Sequence, residues 1–173
     1  MANSLNAGVS SQSMNNDAFL ILLSLLLSCI RKLKFTENKL IAIETMLTFS
    51  KFLDDSIVLD RVLPYYLALI DEQRSTTSNQ SQTQAPIVKA HVIYALNDCL
   101  ASIYKIDVQN LNIFPEIIFD CLEALAKDES FLVRSTIAKT IASFALTSLR
   151  YLDTVFLTRR ALANNTAKSK KGE

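Results

Sequence analysis

Glycine is nearly missing from this chain: there are two, Gly8 and Gly172, and both lie near the ends. Proline is almost as scarce, with Pro64, Pro86 and Pro115. A sheet protein of this length needs many tight turns, which draw on glycine for positive φ and on proline for a preset φ. The shortage argues against an all-β fold and for helices. Tryptophan is absent, and His91 is the only histidine. Cys29, Cys99 and Cys121 are odd in number and far apart, with no CxxC or Cys/His spacing. That pattern disfavours a zinc site or a disulfide framework and predicts buried free thiols in a reducing compartment. Neither sign of charge dominates, with 18 Lys and Arg against 17 Asp and Glu. No overall electrostatic pull toward nucleic acid or an anionic membrane follows.

Long apolar runs are also lacking. The longest candidate is residues 18–30, AFLILLSLLLSCI, 13 residues in all. A spanning helix needs roughly 20. No Lys or Arg precedes the run, so the basic start of a secretory signal is missing. A buried helix is the better reading. Met1-Ala2 does not match an N-myristoylation start, which requires Gly after Met.

What is present is apolar and periodic. Half of the 173 residues are hydrophobic, enough for one sizeable core. Residues 1–16 are rich in Asn, Ser and Gln and read as disordered. Asn16 or Asp17 then caps a first helix, Ala18 to Lys34, apolar nearly all round and so expected to be covered on more than one side. A second helix spans Glu37 to Phe52, with Leu40, Ile43, Met46 and Leu47 as its stripe and Thr36 as its cap. A third spans Ser56 to Asp71, with Pro64 expected to kink it. Residues 72–85, EQRSTTSNQSQTQA, read as a flexible insertion. The fourth helix starts at Pro86, its stripe formed by Val88, Val92, Ala95, Leu96, Cys99 and Ile103. A fifth follows from Ile113 to Lys127 and a sixth from Phe131 to Leu152, joined by the turn Lys127-Asp128-Glu129-Ser130. The small residues Ala138, Ala142 and Ala145 along the sixth are expected at an inter-helix contact, so Ala142→Glu should be strongly destabilising.

Six helices with short connections make three antiparallel hairpins, in a solenoid or a bundle. Pro64 and Pro115 are 51 apart, each in the first helix of a hairpin; Val88-Lys89 and Val133-Arg134 are 45 apart, each opening the second. A two-helix unit with a period near 40–47 is the HEAT type. The expected fold is an all-α solenoid of about three HEAT-type hairpins over residues 17–157, with a polar, basic tail at 158–173.

Four stretches carry a more specific likeness: LLSLLLSCIRKLKFTENKLIAIETML (22–47), LDRVLPYYLALI (59–70), VKAHVIYALNDCL (88–100) and residues 112–152, which open NIFPE and continue LVR…IA. Together they resemble the HEAT-repeat region of the large regulatory subunit of class III phosphatidylinositol 3-kinase, a vacuolar protein-sorting kinase-like scaffold. The resemblance covers about residues 20–153. It implies a non-catalytic scaffold segment that serves endosomal and vacuolar sorting and autophagy. The implied partners are the lipid-kinase catalytic subunit and associated autophagy subunits. The implied location is cytoplasmic, peripheral on endosomal or autophagic membranes, with membrane contact only indirect. Family members carry an N-terminal kinase-like domain and a WD40 propeller, and are typically N-myristoylated. This chain has no Gly-rich nucleotide loop, catalytic-loop motif, WD repeats or myristoylation start, which makes it a fragment, an incomplete gene model or a short paralogue. Two other readings stay open: a fragment that carries the kinase name of its full-length parent, and an unrelated HEAT adaptor.

No enzyme emerges from the residues themselves. His91 has no nucleophile pattern beside it. The acidic pairs Asp54-Asp55, Asp120/Glu123 and Asp128-Glu129 fall in turns and outer faces, where caps and solvated charge are usual. No cofactor, metal or nucleic acid is expected. In repeat stacks second helices line the face where partners dock, so the candidate binding residues are Lys89, Asn97, Asp98, Arg134, Lys139 and Arg150. For Arg134 a bond to the neighbouring turn at Asp128 is the alternative. Tyr65 and Tyr66 are expected in the core or between repeats, and the basic tail is expected to solubilise the end.

Overall fold

The computed structural model describes residues 5–30, 32–71, 86–106, 110 and 112–169, with side-chain detail from residue 18 to residue 161 and at residue 163. Among these residues every regular element is helical. The elements are α1 (Leu5–Ile30), α2 (Thr36–Ser50), α3 (Asp55–Ile57), α4 (Leu63–Asp71), α5 (Pro86–Ser102), α6 (Phe119–Ala126) and α7 (Phe131–Ser169). A π-helical stretch, Val58–Val62, joins α3 to α4, and another, Phe114–Ile118, leads into α6. They pair as three hairpins: α1 with α2, α3–α4 with α5, and α6 with α7. The second helices lie side by side in the order α2, α5, α7. That is the all-α, solenoid-like stack expected from the periodicity.

The 45-residue offset holds in space. α5 opens at Pro86 and α7 at Phe131, and Val88 and Val133 are both buried. The two prolines are less alike. Pro115 lies in the opening turn of its rod, where a missing N–H costs nothing. Pro64 sits in mid-rod, two residues after a π turn. There the Leu63 N–H reaches back five residues to the Val58 carbonyl. The proline's irregularity is taken up by a local change of helix type.

α5 is the centre of the core. Each of the stripe residues Val88, Val92, Ala95, Leu96, Cys99 and Ile103 is buried, and Ile93 and Leu100 join them. Flanked by α2, α4 and α7, this helix keeps only one narrow stripe toward solvent, with Tyr94, Asp98 and Ser102 exposed. Tyr65 and Tyr66 are both in the core, as expected. The edge helices differ. α1 buries Leu23 and Ile30 but leaves Ile21, Leu22 and Leu25 exposed, so its all-round apolar character is covered on one side only. Cys29 is exposed on the same helix, contrary to the expected buried thiol, whereas Cys99 is fully buried and Cys121 is half-buried.

Several boundaries need correction. Residues 5–17 continue α1 rather than forming a disordered lead, and Asn16 and Asp17 lie inside the helix rather than capping it. Phe35 occupies the N-cap of α2, and Thr36 is its first helical residue. α7 continues past Leu152 to Ser169, because no Pro or Gly interrupts it before Gly172. The expected polar tail is therefore largely helical. The 72–85 insertion lies outside the described residues.

Candidate functional site

The hairpin turn Lys127–Ser130 shows how the polar residues are used. The Lys89 ammonium of α5 donates to Asp128 Oδ2 at 2.7 Å, and the Ser130 N–H donates to Asp128 Oδ1 at 2.9 Å. Arg134 Nη1 donates to the carbonyls of Asp128 and Glu129, each at 2.8 Å. One turn of the third hairpin is thus bolted to the start of α5 and the start of α7. Partial burial works to raise the Asp128 carboxyl. The Lys89 bond, the Ser130 N–H and the charges of Lys89 and Arg134 outweigh it and hold it below the usual carboxylate value.

Arg150 closes the other end of the same interface. Its guanidinium donates to the Ala101 and Leu100 carbonyls at 2.8 and 2.9 Å and lies 5.1 Å from the centre of the Tyr104 ring. These carbonyls end α5 and have no partner further along the helix. A cation from α7 satisfies them, which also suits the negative end of the helix dipole. Asp55 does the complementary work within the second hairpin, accepting the N–H groups of Tyr104 and Lys105 at 2.9 and 2.7 Å. His91 Nε2 lies 3.0 Å from Glu44 Oε1, between α5 and α2. Glu123 pairs with Lys127 one helical turn on.

Of the six candidate binding residues, Lys89 and Asn97 are buried, and Arg150 is half-buried on backbone carbonyls. These three fasten hairpins or fill the interior. Arg134 is exposed yet engaged by the turn, the alternative foreseen for it. Asp98 and Lys139 are exposed on α5 and α7. No group of three or more His, Cys, Asp or Glu side chains could hold a metal among the described residues. No described helix is long and apolar enough to cross a membrane.

The surface that sequence reasoning missed is apolar. A groove of about 640 Å³ runs between α6 and α7, walled by Phe119, Leu122, Ile137, Ile141 and Phe144, with Glu123 and Arg134 also lining it. A second hollow of about 270 Å³ continues beside it, lined by Pro115, Phe119, Leu149 and Leu152 among others. Phe119 borders both. Ala138 and Ala145 line the first groove rather than meeting a helix, and Ala142 is exposed. The sequence did contain the signal. α7 buries Val133, Ile137, Phe144, Tyr151 and Val155 on one side, and it keeps a second set of apolar residues at helical spacing on the other.

A stack of antiparallel helical hairpins, fastened through polar turns and offering an apolar edge groove, defines an α-helical repeat protein. The chain belongs to the family described as PIK3R4-like, middle domain, whose match covers residues 22–173. It is 31% identical over 140 residues to the serine/threonine-protein kinase VPS15 of Arabidopsis thaliana, which uses 81% of this chain. It is 30% identical over 136 residues to a non-specific serine/threonine protein kinase of Candida glabrata, using 78% of the chain. With VPS15 of Saccharomyces cerevisiae it shares 25% identity over 148 residues, 84% of the chain. In each case the matched stretch is 9% of the relative's length. The likeness is therefore to a middle segment of much longer kinases.

Proposed function

We propose that this chain is a non-catalytic scaffold segment that holds the subunits of a class III phosphatidylinositol 3-kinase assembly in register and so serves endosomal sorting and autophagy. The observation that supports this most is the match of residues 22–173 to a middle domain, lying on a fold in which Lys89 and Arg150 join hairpins. A repeat stack is well suited to the task, since it offers a long edge whose curvature is fixed by many small interfaces. On this reading the chain sits on endosomal or autophagic membranes through its partners, with its own membrane contact only indirect. Its first partner is the lipid-kinase catalytic subunit.

Co-expression of the tagged chain with the class III catalytic subunit of its own organism tests the reading. Stoichiometric co-purification that survives about 0.3 M salt is the expected result, because a groove-based contact is apolar and little screened. If the catalytic subunit stays in the flow-through while a different transport or phosphatase subunit is retained, the chain is an adaptor of another assembly. Incubation of the purified chain with labelled ATP and a generic protein substrate is expected to give no transfer. Transfer above a buffer control overturns the non-catalytic part of the proposal.

A further inference from the structure

The exposed side of α7 carries a second periodicity. Ala138, Ala142, Ala145, Leu149, Leu152 and Phe156 follow one another in steps of four, three, four, three and four residues, and all six are exposed. The alternation of four and three keeps all six on one face, the heptad-like spacing of a seam along which another helix can pack. The seam runs for about 27 Å at the helical rise per residue. Leu149, Leu152 and Phe156 are 58%, 48% and 61% exposed, a large amount of apolar surface to leave wet in one line.

The stripe is graded and self-complementary. Its N-terminal half is all alanine, and its C-terminal half is all large. Reversed about Thr147, it sets Ala145 against Leu149, Ala142 against Leu152 and Ala138 against Phe156, each pair equidistant from the midpoint. Small meets large at every layer, so total volume stays level along the seam. The flanking charges fall close to the same reversal, Lys139 and Asp153 being equidistant from position 146, one residue from the midpoint of the seam. Lys139 and Asp153 are both exposed and occupy the same flank of the seam, and antiparallel pairing brings the Lys139 of one helix beside the Asp153 of the other, twice. Leu146, on that flank and 70% exposed, meets its own copy close to the two-fold axis. A contact in which each residue i meets j while j meets i is isologous, the arrangement of a closed dimer.

We propose that α7 is a self-association surface, and that its occupant is the α7 of a second copy of this chain, antiparallel and centred on Thr147. Phe119, which borders both hollows beside the seam, then lies at the edge of the joint. The inference stands apart from the scaffold reading, since self-association and capture of a lipid-kinase subunit are measured separately and either can fail alone.

Sedimentation equilibrium of the purified 173-residue chain, loaded from micromolar to several hundred micromolar, tests it. The mass is expected to rise from the 19.3 kDa of the monomer to twice that and no further. Leu149→Asp is expected to raise the dimer Kd at least about tenfold, because it leaves a charge in a desolvated seam. Should that variant unfold, Leu152→Asp makes the same test in the neighbouring layer. Lys139→Asp or Asp153→Lys alone sets like charges side by side at two places and is expected to weaken the dimer about fivefold. The double swap, Lys139→Asp with Asp153→Lys, is expected to return the Kd to within about twofold of the original. A monomer at every concentration overturns the proposal. So does a dimer insensitive to both seam substitutions, or one that the double swap does not restore.

Discussion

The Lys89 ammonium sits 2.7 Å from Asp128 Oδ2, with the two side chains only 10% and 14% exposed. The pair ties α5, the core helix, to the turn of the following hairpin. Most ion pairs at a protein surface contribute little, but a pair this sheltered leaves its survivor stranded when one partner is removed. Asp128→Ala is therefore expected to destabilise the chain by about 2–4 kcal/mol, read from the midpoint of urea unfolding. The double variant Lys89→Met/Asp128→Leu is expected to lose clearly less than the two single variants added together. Additive losses mean that the bridge is not the source of the effect.

The same carboxylate predicts a pH dependence of definite sign. Asp128 is held below its ordinary value in the folded chain. A depressed carboxyl stabilises the fold above its unfolded pKa of about 3.9, and that contribution disappears as pH falls through the lower folded value. The stability difference between wild type and Asp128→Asn is expected to be flat from pH 5 to 7 and to close below about pH 4. Glu123 is also held low by Lys127, but both side chains are well exposed. Glu123→Gln is expected to leave the acid limb of the unfolding curve in place, because solvent screens that pair.

Arg150 offers a test of geometry against charge. Its two bonds, to the carbonyls of Ala101 and Leu100, use the fork of the guanidinium, and its flat face lies by Tyr104. Lysine keeps the charge but has no planar fork. Arg150→Ala is expected to cost about 2–3 kcal/mol and Arg150→Lys roughly half as much, both read from thermal unfolding. Equal losses in the two variants assign the effect to the fork alone. No loss in the lysine variant assigns it to charge at the helix end.

The comparison of Ala142 with Phe144 shows what the sequence could and could not say. Hairpin count, the 45-residue offset and the buried stripe of α5 were legible, because the apolar period of a helix is set locally and α5 is covered on several sides. The side to which α7 turns its alanines was not. Both of its faces carry apolar residues at helical spacing, and only the packing against α5 and α6 selects Phe144, 2% exposed, over Ala142, which is exposed. Three of the residues that read as docking charges lie inside the fold, and the reason is related. Lys89 and Arg150 carry charged termini, but their partners lie some 40 to 50 residues away, which no local pattern reports, and Asn97 is buried with its amide on the neighbouring Asp98. In dilute, monomeric solution Ala142→Glu is now expected to change stability by no more than about 0.5 kcal/mol, whereas Phe144→Ala costs about 3–5. A large loss from Ala142→Glu places that residue inside an intramolecular contact.

Tyr66 is the place where the core is internally at odds. Its ring is wholly buried against α5, and its hydroxyl has no hydrogen-bond partner among the described residues. Burial, with Cys99 nearby, pushes the phenol far above its ordinary value, so the neutral form is favoured. A neutral hydroxyl in that position contributes packing volume while its desolvation is uncompensated. Removing only the oxygen keeps the ring and its contacts. Tyr66→Phe is therefore expected to raise stability by about 1 kcal/mol, and Tyr66→Leu to lower it by roughly 2–3 through lost volume. The sign of the first change decides the matter. A fall in the thermal midpoint for Tyr66→Phe shows that the hydroxyl is satisfied, by an internal water or by a rotation of the neighbouring side chains, and that this part of the core holds a polar contact.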